Sequence, residues 1–113
     1  MIRVNHRSGG VLVLAVTETR LTAAVAPQFK QLVLDQIEAG NTRLVLDLSE
    51  VGFIDSTGLG AMVGILKRVG SRGDVAVCGL QPAAAQMFRL TRMDKVFRIY
   101  DDADAAVGAL EQS

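Results

Sequence analysis

What most constrains this chain is a set of short, nearly unbroken apolar runs separated by stretches of helical period. Val11–Val16 reads Val-Leu-Val-Leu-Ala-Val, residues 44–48 read Leu-Val-Leu-Asp-Leu, and residues 75–80 read Val-Ala-Val-Cys-Gly-Leu. Runs of this length rich in Val and Leu read as buried strands. Residues 23–39 carry Val25, Phe29, Leu32, Val33 and Ile37 on one face at helical spacing. Thr22 is the expected cap of that helix. Pro27 lies in its early turns, where a missing N–H costs least, and Gly40-Asn41 is a plausible stop. A second helix is expected over residues 57–69, with Leu59, Met62, Val63, Leu66 and Val69 as its inner stripe. Pro82 opens a third, running to about Arg92, with Met87, Phe88 and Thr91 near one face. Ala103, Ala106, Val107 and Leu110 mark a closing helix.

Residues 2–6 alternate apolar and polar, and Ser8-Gly9-Gly10 reads as a turn into Val11–Val16, which together predict an antiparallel hairpin. Residues 96–100 form a last short strand. Strand–helix–strand units after a hairpin imply right-handed parallel crossovers. The expected fold is therefore α/β: a mixed five-stranded sheet with about four helices packed on it. No linker, repeat or low-complexity tract interrupts residues 1–113, so one domain is expected over the whole chain.

Composition narrows the function. With no Trp, one Tyr and four Phe, the interior must be aliphatic. Formal net charge is zero, without the basic excess that displaces counterions from phosphates, so nucleic acid is not an expected partner. No stretch approaches the ~20 apolar residues of a membrane span, so membrane insertion is not expected. The first residues lack the apolar core of a signal peptide. Cys78 is alone, which forbids an intrachain disulfide. These features predict a cytoplasmic protein, and no cofactor is implied.

The unusual segment is Phe53-Ile54-Asp55-Ser56-Thr57-Gly58-Leu59-Gly60, between a buried strand and a helix. Ser56 falls at the expected N-cap. The first N–H groups of a helix lack internal partners and carry the positive end of its dipole, so added negative charge is well tolerated there. Gly58 and Gly60 leave that helix start without side chains, open to close approach by another molecule, at a cost of roughly 1 kcal/mol each relative to Ala. An ordinary capping serine accounts for Ser56 equally, and on physical grounds alone it is the commoner case.

Other chemistry is poorly supported. A serine hydrolase needs a base beside its nucleophile. The one histidine, His6, is expected to face solvent on the first strand, and no Gly-x-Ser-x-Gly elbow exists. Gly58, Gly60 and Gly64 do not make a dinucleotide fingerprint, because the loop from the preceding strand is too long for its tight turn. No P-loop is present, and Asp55-Ser56-Thr57-Gly58 is not an aspartic protease site. Cys78 reads as a buried strand residue rather than a redox thiol. Asp101, Asp102 and Asp104 suit the start of the last helix better than a metal. Arg89, Arg92 and Lys95 read as a solvated basic face.

The segment from Phe53 to Gly60 resembles the phosphorylation loop of STAS-domain anti-sigma factor antagonists. The likeness extends over roughly residues 2 to 111. It includes Leu44-Val45-Leu46-Asp47-Leu48, Val77-Cys78-Gly79-Leu80 with Pro82, the Met87-Phe88 pair and Val96-Phe97-Arg98-Ile99-Tyr100. The resemblance implies a non-catalytic switch. Its partner is an anti-sigma factor that is also a serine kinase of the GHKL ATPase type, and a PP2C-type phosphatase resets it. Ser56 is then the phosphoacceptor, with Thr57 a less favoured second. Asp55 is the flanking acid, and Gly58 and Leu59 belong to the partner-binding surface with Asp55, Ser56 and Thr57. One departure stands out: where the family often has Gly-Glu-Leu-Asp before the first helix, this chain has Thr19-Arg20-Leu21-Thr22. The same resemblance admits an alternative, a STAS docking subunit of a transporter or sensory complex without serine phosphorylation.

Overall fold

The computed structural model describes residues 1–112. β1 (Ile2–His6) and β2 (Val11–Val16) form the expected hairpin, closed by a short 3-10 turn at Ser8–Gly10 in which Gly9 and Gly10 adopt positive φ. A two-residue strand, β3 (Arg20–Leu21), precedes α1 (Ala26–Glu38). The chain continues through β4 (Arg43–Asp47), β5 (Phe53–Ile54) and α2 (Ser56–Val69). Then come β6 (Asp74–Cys78), α3 (Pro82–Leu90), β7 (Arg98–Tyr100) and α4 (Ala103–Glu111).

The main sheet has five strands in the order β1-β2-β4-β6-β7. Only β1 is antiparallel to its neighbour; β2, β4, β6 and β7 run parallel. Leu14 pairs with Leu46, and Leu46 with Val77, so one apolar row crosses the three central strands. The expected mixed sheet with four helices is the observed one. The unbroken apolar character of the central strands has a simple cause: both faces are covered. Leu12, Leu14, Val16, Leu44, Leu46, Val75 and Val77 pack with Phe29 and Val33 of α1, Met62 and Ile65 of α2, and Phe88 of α3. On the reverse face, Val11, Val13, Val45, Ala76 and Cys78 pack with Ala106, Val107 and Leu110 of α4.

Several local expectations need correction. Residues 23–25 form a turn, so α1 begins at Ala26 and its N-cap is Val25, with no side-chain cap. Thr22 contributes its carbonyl, which accepts from Val25 N at 3.0 Å and Ala26 N at 2.8 Å, rather than its hydroxyl. The core face of α1 is Ala26, Phe29, Val33 and Ile37, with Leu32 only half-buried. In α2 the buried stripe is Leu59, Ala61, Met62, Ile65 and Val69, whereas Val63 and Leu66 lie on its half-buried flank. α3 ends at Leu90, short of Arg92, because Arg92 adopts a left-handed backbone (φ 62°) that no helix continues through. Thr91 is exposed and turns its hydroxyl back to the Met87 carbonyl at 2.7 Å. The last strand is shorter than expected because Met93–Lys95 forms a 3-10 turn.

Candidate functional site

The loop after β4 is anchored rather than free. Leu48 and Val51 are fully buried, and Leu48 N donates to the Cys78 carbonyl at 2.9 Å. Phe53–Ile54 then pairs in parallel with Arg20–Leu21, forming a small second sheet. Gly52 N and Phe53 N both donate to the Thr19 carbonyl, and Asp55 N donates to the Leu21 carbonyl. Two-residue strands carry no readable period, which is why residues 49–55 present themselves in the sequence as a loop with one apolar pair.

The start of α2 follows directly, and here the structure reassigns a role. Asp55, not Ser56, is the N-cap: its backbone is extended (φ −101°, ψ −179°), and its carboxylate accepts from Gly58 N at 2.8 Å. The second carboxylate oxygen accepts from Ala23 N at 3.2 Å. Asp55 therefore ties the start of α2 to the turn before α1, with both oxygens engaged within the domain. Ser56 becomes the first helical residue. It is exposed, and among the described residues its hydroxyl has no hydrogen-bond partner. Thr57 is exposed beside it.

The glycines divide. Gly58 is buried, and a β-carbon there would stand 2.3 Å from the Leu21 carbonyl oxygen and 2.9 Å from Ile54 Cγ1. It is a packing glycine, needed so that α2 can lie against the small sheet, and it does not open the helix start to a visitor. Gly60 meets nothing within 4 Å and is the glycine that leaves the outer surface bare. Leu59 is only 5% exposed. Leu59 lies on the inner stripe of α2 as its helical spacing predicts, and with Gly58 it underlies the outer surface formed by Ser56, Thr57 and Gly60.

Two recesses are lined by residues close to Ser56 in the chain, one by Thr57 and the other by Phe53 and Ile54. One, of about 440 Å³, is lined by Ala26, Pro27, Lys30, Thr57, Gly60 and Ala61. The other, of about 280 Å³, is lined by Phe53, Ile54, Ala83, Gln86, Met87 and Leu90. Phe53 and Leu90 are exposed, Leu90 by 73%. The Arg20 guanidinium stacks over the Phe53 ring at 4.5 Å from its centre. This arginine stands in the segment where the sequence departs from the family pattern. Exposed apolar groups such as Phe53 and Leu90 suit a protein contact.

The remaining candidates fall outside this site. His6 is exposed on the edge strand. Cys78 is fully buried, and that burial, with the nearby carboxylates of Asp47 and Asp102, pushes its thiol from an ordinary value near 9 up to about 12. It carries no thiolate at neutral pH. Asp102 caps α4 through Ala105 N at 2.8 Å, and Asp104 pairs with Arg7 at 2.7 Å. Among the described residues no group of acids, histidines or cysteines could hold a metal ion. Arg89, Arg92 and Lys95 are all exposed.

The fold is that of a small α/β domain, and comparison with known proteins gives the class. The STAS domain family model matches residues 3–106, and the chain belongs to that family. An anti-sigma F factor antagonist of Paenibacillus polymyxa is 28% identical over 116 residues, covering 97% of this chain and 94% of the relative. An anti-sigma-B factor antagonist of Listeria monocytogenes is 33% identical over 81 residues, covering 70% of each chain. The crystal structure of an anti-sigma factor antagonist from Mycobacterium paratuberculosis superposes with a TM-score of 0.89 at 28% identity, covering 97% of this chain and 92% of that one. No helix of the described residues is long and apolar enough to cross a membrane.

Proposed function

We propose that this protein is an anti-sigma factor antagonist that works by binding rather than catalysis, and that Ser56 is its switch. In the unmodified state it captures an anti-sigma factor that is also a GHKL-type serine kinase. Phosphorylation of Ser56 releases the complex, and a PP2C-type phosphatase restores the binding form. The observation that carries this reading is the exposed, unpartnered Ser56 hydroxyl at the first position of α2, next to Thr57, which lines one recess, and close in the chain to Phe53 and Ile54, which line another. The relatives named as anti-sigma factor antagonists support the same role.

The physics of the switch follows from that position. A phosphoryl group adds about −1.5 to −2 charges at pH 7. Within the domain the free N–H groups of the first turn offset part of that charge, so the fold tolerates it. Within a contact surface the same group must shed water beside the Asp55 carboxylate, which is costly without a matched cation. A penalty of ~3 kcal/mol weakens an affinity by more than a hundredfold, enough to empty a complex without reshaping either partner. Thr57 shares the exposed edge and is the second acceptor in this scheme.

The test is direct. Incubation with ATP and each GHKL-type ATPase of the source organism, read by intact mass, is expected to add one phosphoryl group that Ser56→Ala abolishes. Binding of the same ATPases should survive Ser56→Ala and be lost in Ser56→Asp. A protein that binds its partner equally in all three forms, and gains no mass, instead serves as a transporter or sensory docking subunit.

A further inference from the structure

The recess beside Thr57 does not end there. A second recess of about 400 Å³ follows it along the seam between α1 and α2, lined by Lys30, Leu34, Gly64, Lys67 and Arg68, and the two share Lys30. The walls follow helical spacing on both sides: Ala26, Lys30 and Leu34 on α1, and Thr57, Gly60, Gly64 and Lys67 on α2. From Thr57 to Arg68 the two recesses together form a groove that spans roughly 16 Å at the α-helical rise, about three turns, with the flexible Lys30 side chain crossing the seam between them. Its near end is floored by small apolar residues. Its far end is cationic.

Lys30 is the informative side chain. It is half-buried and lies across α2 so closely that a β-carbon on Gly64 would stand 2.7 Å from its ammonium nitrogen. Among the described residues it has no acidic partner, and neither does Lys67. Arg68 is the exception, paired with Glu38 at 3.2 Å. Lys67 and Arg68 complement the C-terminal end of their own helix. Lys30 does not: it stands in the first half of α1, away from that helix's C-terminal end. On a chain of zero net charge, cations without acids in a groove are a local asymmetry that an acidic occupant would satisfy.

We infer that this groove receives an amphipathic helix of the anti-sigma factor, with small apolar residues at the Thr57 end and acidic residues against Lys30 and Lys67. The inference rests on the function proposed above and names the contact that this function needs. It also fits Ser56 as a switch: a phosphoryl group next to Thr57 would stand at the end of the groove and repel an acidic visiting helix.

The experiment measures calorimetric binding of each purified GHKL-type ATPase of the source organism at low and high salt. Lys30→Glu/Lys67→Glu is expected to weaken binding by at least about tenfold at low salt, with the loss shrinking as salt rises. Lys30→Gln/Lys67→Gln should fall between it and the parent, and Arg7→Glu, beside α4 on the opposite face of the sheet, should bind normally. Circular dichroism verifies that each variant folds. If the double reversal folds and binds like the parent while Ser56→Asp does not, the groove inference is wrong and the proposed function stands. If Ser56→Asp binds like the parent but the double reversal does not, the groove holds and the switch falls. If no ATPase binds the parent, both fall. Self-association abolished by the double reversal would place a second copy of the chain in the groove, which also overturns the inference.

Discussion

Two helices in this protein begin in the same way and end up with different surroundings. Asp55 caps α2 and Asp102 caps α4, each from an extended backbone, each accepting at 2.8 Å from the N–H three residues on. The first helical residue is Ser56 in one and Ala103 in the other. Around α4 the neighbours are charges: Arg7 pairs with Asp104, and Ser8 donates to Glu111 at 2.6 Å. Around α2 they are apolar recesses, a small sheet that fixes the approach of the chain, and a bare glycine. A helix start tolerates an anion in either place. The recess at the start of α4, lined by Arg3, Arg7 and Ala103, already holds cations to offset an anion, whereas the recesses near Ser56 are lined mainly by apolar residues.

The contrast can be broken most severely at the serine. Ser56→Asp should weaken capture of the GHKL-type partner by more than a hundredfold, ~3 kcal/mol, by calorimetry. The matching substitution at the other helix, Ala103→Asp, should leave it unchanged. Equal losses from both would mean that charge anywhere on the domain disturbs binding, and the distinction between the two starts would vanish.

Next in size is the glycine contrast. Gly58→Ala forces a methyl group onto the Leu21 carbonyl, and overpacking of this kind should cost about 1–3 kcal/mol in urea unfolding. Gly108, within α4, meets nothing within 4 Å, so Gly108→Ala should stabilise by up to about 1 kcal/mol. If Gly58→Ala were also stabilising, the clamp between α2 and the small sheet would not be as tight as drawn.

The caps themselves should differ by less. Asp55→Ala removes both the bond to Gly58 N and the tie to Ala23 N, and should cost about 1–2 kcal/mol. Asp102→Ala loses one bond and should cost about 1 kcal/mol. A larger loss at Asp102 would reverse the order.

The smallest effect concerns the face beneath α4. Folding raises the Cys78 thiol from near 9 to about 12, so the folded state holds its proton more tightly than the unfolded chain. That contribution is whole below about pH 9 and is lost progressively as pH climbs towards 12. Cys78→Ala should flatten the alkaline limb of a stability–pH curve, though the cavity it leaves lowers stability at every pH. A curve of unchanged shape would contradict the assignment.

The main sheet was legible because its central strands lie between two layers. Residues 11–16, 44–48 and 75–80 have few polar positions, and few other structures accept such runs. The helices were legible from period, except where their ends depended on neighbours. Which of two adjacent cap-forming residues, Asp55 or Ser56, would turn its side chain inward depended on Ala23, thirty-two residues away. The small sheet of Arg20–Leu21 and Phe53–Ile54 was invisible, since pairing across that distance leaves no mark in two residues.

The segment from Phe53 to Gly60 was conspicuous in the sequence, and the roles within it were not. Gly58 looked like an opening and is a contact, because its environment is a carbonyl from β3. Leu59 was legible as core from its helical spacing, and it is core. The recesses on either side, and Lys30 across Gly64, belong to helices distant in the chain, and no local pattern could join them.

By itself, then, the order of amino acids determined the layered α/β class, the apolar faces of the strands and helices, and a serine at the mouth of the second helix. These depend on period and composition, which are local properties. The tertiary structure decided which residue caps, which glycine packs, and what lies beside the free hydroxyl, because each of those depends on a backbone or side chain brought in from elsewhere by folding.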